Sequence, residues 1–389
     1  MSDNKNKRLP PLPRSRDKKQ GLRANVSRSM ATRQLLTPEQ LQESLAVAPP
    51  PSLPIAVIAG LQAALALLTA IVLVTYSPWA HLVGFPALGA LASLFGRYAP
   101  LEHRMRIVGV CAALLTFGVL VPSLASYAGA NATVMVLTLA LVAGMSTLMF
   151  SHWRLGGPGA VIIVFAAGGA QAPVASWDML VTRMGLTVAG GVVAWLICML
   201  TDRLRTAEMA NLKLPDAPRR PFSHELIAAG RITMGAAMAA LIAHAAGWHH
   251  PAWAAIGATA VMQGGHLHVT MSRALQRMAG TVVGAFIVWA ILALSPSFWA
   301  LVAAIVFFQF ITEIIIGYNY ALGQVTVTPM ALLMTYLASP AMAGASMPVE
   351  RVLDTILGAA LGIVFAVIFS TVDDRIFLAR RRKKAREQS

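Results

Sequence analysis

Two charged residues fall inside long apolar runs, where a charge is costly and usually serves a function. Glu313 interrupts one such run and Arg231 another, both toward the same end of the second half of the chain. A carboxylate beside a guanidinium would form a site that takes up and releases a proton while the cation draws in an anion. The same two residues would serve equally as a structural ion pair, or Arg231 would snorkel to the interface. Arg351 and Asp354 stand three residues apart at the start of the last apolar run, so they share one helix face near the outer surface. A gate and a simple anchor are both compatible with that pair. Pro158, in Gly156-Gly157-Pro158-Gly159, and Pro329, after Thr328, interrupt two further runs. Proline removes a backbone donor and frees a carbonyl one turn back, and paired interruptions point to a binding site. Asn319, Gln324, Thr326 and Thr328 add uncharged hydrogen-bonding groups beside Pro329; plain kinks against neighbouring helices are the alternative.

Other chemistry is excluded by spacing. His249-His250 and His266/His268 bracket one apolar run and lie about 25 Å apart along a helix, too far to share a metal ion. His224-Glu225-Leu226-Ile227-Ala228 opens like a zinc-protease helix, but Ala228 stands where the second histidine is required. No Walker A sequence and no Gly-x-Ser-x-Gly elbow occurs. Cys111 and Cys198 lie in apolar runs and read as small packing residues. The expectation is a protein without enzymatic activity, cofactor or metal.

The elements that position these residues follow from composition. The chain has 389 residues, 57% hydrophobic and 12% charged, with a mean hydropathy of +0.66; soluble domains carry about twice that charged fraction. Uncharged stretches such as 55–75 are long enough for one bilayer crossing of roughly 20 residues. Twelve runs are read as spans: 55–75, 79–96, 107–127, 132–150, 156–175 and 184–201, then 225–247, 250–266, 278–295, 298–316, 320–338 and 352–372. They are continuous rather than alternating, which excludes a β-barrel. The net charge of +15 resides mostly in segments flanking the spans, as at Arg380-Arg381-Arg382-Lys383-Lys384. Such flanks mark the cytoplasmic side and touch anionic lipid; nucleic acid is not expected, because the tails have almost no aromatics interleaved with their basic residues. With the N-terminus inside, 28 of the 31 Lys and Arg residues fall on the cytoplasmic side, including Arg273 and Arg277, while Arg183 and Arg351 fall outside. Both termini are therefore expected in the cytoplasm. No signal peptide is read before the first apolar run near residue 55.

An internal repeat organises the spans. Arg106 and Arg277, Gly109 and Gly280, and Pro158 and Pro329 are each 171 residues apart, while Arg183 with Arg351 and Gly190 with Gly358 are 168 apart. The expected fold is an all-α integral membrane protein of about twelve transmembrane helices, arranged as two parallel six-helix repeats. Its parts are a disordered basic cytoplasmic tail (1–54), a first repeat (55–201), a cytoplasmic linker (202–224), a second repeat (225–372) and a basic cytoplasmic tail (373–389). Gly280-x-x-x-Gly284 and Gly358-x-x-x-Gly362 match Gly109-x-x-x-Ala113 and Gly190-x-x-x-Ala194 in the first repeat. Small residues one turn apart let helix backbones approach closely, so these are read as packing positions.

The stretch His250-Pro251-Ala252-Trp253-Ala254-Ala255-Ile256, followed by Arg273-Ala274-Leu275-Gln276-Arg277-Met278-Ala279-Gly280-Thr281-Val282-Val283-Gly284, resembles the signature of the fusaric acid resistance family. Asn319-Tyr320, Thr328-Pro329, Arg351 and Gly358 also fit its pattern, and the resemblance is sharpest over 225–372. It implies an inner-membrane exporter of aromatic carboxylic acids, related to bacterial aromatic acid exporters and plant malate channels, working alongside a periplasmic adaptor. Three readings stay open: a secondary exporter of small organic acids, proton-coupled through Glu313; a passive organic-anion channel; and a membrane scaffold without transport. Under the first, Arg231, Glu313, Asn319, Gln324, Thr328, Pro329 and Pro158 bind substrate or couple transport. Arg351 and Asp354 then form an outer gate or anchor, and Gly280, Gly284, Gly358 and Gly362 pack helices. The expected partners are the lipid bilayer, a small organic acid substrate, the adaptor protein and other copies of the chain in a homo-oligomer.

Overall fold

The computed structural model describes residues 27–47, 49–205, 221–338 and 346–388. Most of the linker and the first 26 residues lie outside the described residues. Among the described residues every regular element is a helix. Near the N-terminus come α1 (Arg28–Leu35) and α2 (Pro38–Leu45), and then α3 (Leu53–Thr75), α4 (Gly84–Ala90), α5 (Leu101–Tyr127), α6 (Ala132–Trp153), α7 (Val161–Gly169) and α8 (Trp177–Leu200). After the linker follow α9 (Phe222–Ala245), α10 (Pro251–Met262), α11 (Leu267–Ala293), α12 (Phe298–Ile315), α13 (Tyr320–Ala338), α14 (Met347–Ile368) and α15 (Val372–Gln388). Polar caps set several starts: Ser52, Asn131, Ser176 and Ser297 each accept a hydrogen bond from the backbone N–H three residues on, satisfying a donor that the first turn leaves orphaned.

Nine helices among the described residues are long and apolar enough to cross a bilayer: α3, α5, α6, α8, α9, α11, α12, α13 and α14. The count of twelve spans is thus reduced, because the expected spans at 79–96, 156–175 and 250–266 hold the short helices α4, α7 and α10. A 12-residue helix such as α10 rises about 18 Å, short of a hydrocarbon core of about 30 Å. Its open ends would be intolerable in lipid, and protein covers it instead: every residue of α10 from Ala252 to Met262 is buried, as is every residue of α4 and its following turn from Phe85 to Leu94.

Packing pairs recur between the parts of the chain before and after the linker. α4 lies against α8 and α10 against α14; α5 touches α7 and α8, and α11 touches α13 and α14. The first long helix of each part pairs with a helix of the other part, α3 with α12 and α9 with α6. A Cβ on Gly190 would strike the carbonyl of Pro86, and one on Gly358 the carbonyl of Ala254; both contacts bring α8 or α14 backbone-close to a short helix. The stacking of Arg183 on Phe85 (5.0 Å) and of Arg351 on Trp253 (5.2 Å) falls at the same spacing of 168.

The region read as a disordered tail carries structure that corrects that expectation. α1 and α2 form there, and α2 packs against α11. The correction has a local cause: Ser27 accepts from the Met30 N–H to cap α1, and Pro38 opens α2 at a position where its missing N–H is no loss.

Candidate functional site

Glycines on α11 and α14 decide where two arginines point. Arg277, Gly280 and Gly284 are spaced three and four apart, so they lie along one face of α11. A Cβ on Gly280 would sit 2.5 Å from the Ala321 carbonyl and 2.6 Å from Gln324 Cβ; one on Gly284 would sit 2.6 Å from Thr328 Cβ and 3.0 Å from Pro329 Cδ. With α13 that near, the Arg277 guanidinium reaches it: Nη1 donates to Tyr320 Oη at 3.0 Å and to Gln324 Oε1 at 3.2 Å. Arg273, one turn earlier, lies over the Tyr320 ring at 5.8 Å. On α14, Arg351 shares its face with Gly358 seven residues on, and Gly362 continues the contact against Val261 and the Ala258 carbonyl of α10.

These side chains border a cavity of about 630 Å³ enclosed by α7, α10, α11, α13 and α14. Four arginines face it (Arg273, Arg277, Arg351 and Arg381) against one acid, Glu43. Arg351 is 1% exposed, and its Nε and Nη1 have no hydrogen-bond partner among the described residues. Its counterpart Arg183 fills both terminal nitrogens, donating to the carbonyls of Ala172 (2.9 Å) and Pro173 (2.8 Å), and leaves only Nε without a partner among the described residues. Burying a cation without filling its donors is costly, so the arrangement favours an anion in the cavity. Phe165, Ile256 and Met330 supply apolar wall, and a volume of this size suits a small organic molecule.

The residues expected from sequence are dispersed. Gln324, Pro158 and Arg351 line the cavity. Pro158 precedes α7 rather than interrupting a span, whereas Pro329 lies inside α13 and, with Thr328, faces Gly284. Asn319 is a tether: Nδ2 donates to the carbonyls of Ser44 (3.2 Å) and Ala46 (2.8 Å), and Oδ1 accepts from the Ala321 N–H. The expected meeting of Glu313 with Arg231 is corrected. Glu313 pairs with Arg97, whose Nη1 also donates to the Glu313 carbonyl at 3.1 Å. Arg231 is on α9, which packs against α6, α10 and α14, while the α12 of Glu313 packs against α3 and α13. Nor is Arg231 the sole cation within the helices, since Arg183, Arg277 and Arg351 are buried there too. Arg351 is likewise no surface anchor: it borders the interior cavity, and Asp354 is fully buried with neither carboxylate oxygen hydrogen-bonded among the described residues. In the sequence Arg273 and Arg277 read as markers of the cytoplasmic side, as a repeat landmark (Arg277) and as part of the family signature, but not as site residues. The signal that identifies Arg277 was present, because it shares a helix face with the glycine pair.

The helices and the cavity define a multi-pass membrane protein, all-helical among the described residues, with an internal cavity lined by four arginines. Residues 237–365 match the family model described as fusaric acid resistance protein-like, and this segment is a domain of that family. The matched segment contains Arg277, Gln324 and Arg351, the core of the cavity wall. The chain is also 32% identical over 124 residues to the uncharacterized membrane protein YvaC of Bacillus subtilis (strain 168). That similarity covers 32% of this chain and 20% of YvaC, so the chain spans about a fifth of that relative's length. No solved structure matches.

Proposed function

We propose that the chain is a secondary transporter exporting small organic acids, aromatic carboxylic acids foremost, across the bacterial inner membrane. The observation that carries this reading is the pair of buried guanidinium groups, Arg277 and Arg351, on the wall of one cavity, with donors of Arg351 unfilled. A carboxylate satisfies those donors with short charge-assisted hydrogen bonds, while Phe165 and the Tyr320 ring offer contact for an apolar or aromatic body. The family match of residues 237–365 supports the same reading. In this proposal two parallel six-element repeats, 55–201 and 225–372, flank the linker, with both termini in the cytoplasm. The recurring packing pairs and the arginine–aromatic stacks 168 apart support that layout. A periplasmic adaptor and a homo-oligomer belong to the proposal as the family resemblance implies them.

One observation favours a passive anion channel as the second reading. Glu313, the carboxylate expected to carry protons, is engaged by Arg97 and does not border the cavity. Proton coupling through Glu313 therefore lacks a direct route to substrate.

The test uses the full chain in proteoliposomes, with benzoate as probe. A hydrogen bond to a charged group is worth about 1.5–3 kcal/mol, so Arg351→Gln is expected to weaken apparent benzoate affinity by about tenfold to a hundredfold. Arg106→Gln, on the exposed face of α5, leaves it unchanged. Equal affinity in wild type and Arg351→Gln sinks the reading. Flux that persists without a pH gradient selects the channel.

A further inference from the structure

The mouth of the cavity is covered by a piece of chain that the transport reading leaves unused. α2 lies across the start of α11 and is fastened at several points around the opening. Gln40 Nε2 donates to Ser272 Oγ at 2.8 Å and to the His268 carbonyl at 3.2 Å. Gln276 Nε2 donates to the Ser44 carbonyl at 2.7 Å, and Asn319 holds the Ser44 and Ala46 carbonyls from the other side. His268, Ser272 and Gln276 are themselves lining residues of the cavity, so these bonds are made at its rim. Between them Glu43 turns into the cavity, where it is the only acidic residue among the lining side chains, and Arg381 of α15 holds its carboxylate at 3.4 Å. Arg381 also bonds His268 at 3.1 Å, which joins the C-terminal helix to the same rim.

We infer that α2 is an intramolecular gate, whose Glu43 carboxylate occupies the passage an anionic ligand must take to reach Arg277 and Arg351. A carboxylate on a covalently attached helix competes at high effective concentration. It supplies the arginine-rich mouth with a counter-charge while the path is closed. Opening breaks the Glu43–Arg381 pair together with the bonds made by Gln40, Gln276 and Asn319, and swings α2 away from α11. The Glu43–Arg381 pair is partly exposed, with side-chain exposures of 29% and 44%, so this part of the latch is weak.

The inference rests on the reading of this cavity as an anion path, and the experiment separates the two. Val327→Cys places a thiol on the cavity wall, in a chain whose native Cys111 and Cys198 are buried. The full-length protein in proteoliposomes is treated with the anionic reagent 2-sulfonatoethyl methanethiosulfonate, and modification at position 327 is timed by mass spectrometry. Adding Glu43→Gln or Arg381→Gln is expected to speed modification by about fivefold, the scale of one lost surface ion pair. Glu39→Gln, on the exposed side of α2, does not. Gln40→Ala, which removes the bonds to Ser272 Oγ (2.8 Å) and to the His268 carbonyl (3.2 Å), should speed modification as well. Unchanged rates in Glu43→Gln and in Gln40→Ala overturn the gate, even if Arg351→Gln still weakens benzoate transport. Faster modification without faster benzoate flux supports the gate and overturns the transport reading.

Discussion

Replacing either partner of the Glu313–Arg97 pair separates a structural clamp from a proton-coupling site. The pair joins α12 to the segment between α4 and α5, with side-chain exposures of 7% for Glu313 and 15% for Arg97. Removing one partner of a buried ion pair leaves the other charge uncompensated and costs about 3–5 kcal/mol; the residual exposure of Arg97 puts the lower end in force. The two replacements are unequal. Glu313→Gln keeps the hydrogen bond from Arg97 Nη1 to the Glu313 carbonyl, whereas Arg97→Gln loses that bond together with the ion pair. Arg97→Gln is therefore expected to destabilise more, by about 1 kcal/mol, the net worth of one hydrogen bond. The double variant should cost less than the sum, because no bare charge remains buried. Denaturant unfolding of the purified proteins in one detergent gives the cycle, and benzoate flux under an imposed pH gradient is measured in parallel. If Glu313→Gln unfolds like wild type yet loses gradient-driven flux, Glu313 carries protons and the clamp assignment is wrong.

Two further outcomes follow from the packing and from the N-terminal end of α14. Gly280→Ala should lower the yield of folded protein from membranes by gel filtration, since its Cβ would fall 2.5 Å from the Ala321 carbonyl and overpacking costs about 1–3 kcal/mol; normal yield with an altered substrate range would place this face on the substrate path. His250 stacks on Trp253 at 4.1 Å and shares Glu350 with His249, and burial holds its imidazole below the ordinary 6.5 despite the Glu350 hydrogen bond. A depressed histidine pKa means the folded state binds fewer protons than the unfolded one as pH falls below 6.5. Its effect on stability is therefore nil above that pH and a loss below it. The unfolding midpoint should drop between about pH 7.5 and about pH 5.5, and His250→Phe, which keeps the stack, should flatten the drop; an unaltered slope in that variant refutes the assignment.

The helices were legible in the sequence because long uncharged runs allow little else, and the small-residue spacings lie at close helix crossings. Three of the twelve expected spans hold helices shorter than a bilayer crossing, and hydropathy alone does not reveal that. Hydropathy measures whether a segment avoids water, and it does not distinguish lipid from protein as the alternative. α4 and α10 are apolar because neighbouring helices surround them, yet they are too short to cross. The site was less legible because intramembrane charge was sought in the middle of each run. Arg351 lies in the second turn of α14, and Arg277 lies inside α11 but follows a polar stretch from His268 to Gln276, so a span drawn by hydropathy trims both away. Glu313 and Arg231 were linked by depth alone. Depth fixes one coordinate out of three, and the helix neighbours that fix the others follow from tertiary contacts between distant parts of the chain. Asn319 shows the same limit: its side chain was read correctly as a hydrogen-bonding group, but its partners Ser44 and Ala46 lie far away in sequence.

The exchange of α3 and α9 between the two parts of the chain has a consequence for biogenesis. Gly60 on α3 faces the Phe310 carbonyl, where an added Cβ would come within 2.9 Å, and Glu313 Cβ at 3.4 Å. That surface stays uncovered until α12 has been translated, more than two hundred residues later. Until then α3 must wait with this contact face turned to lipid or to a membrane chaperone. A ribosome stalled within the linker would leave an orphaned bundle, lacking the partners of both α3 and α6, for quality-control proteases to remove. Splitting the gene at the linker should accordingly yield two polypeptides that accumulate only when synthesised together.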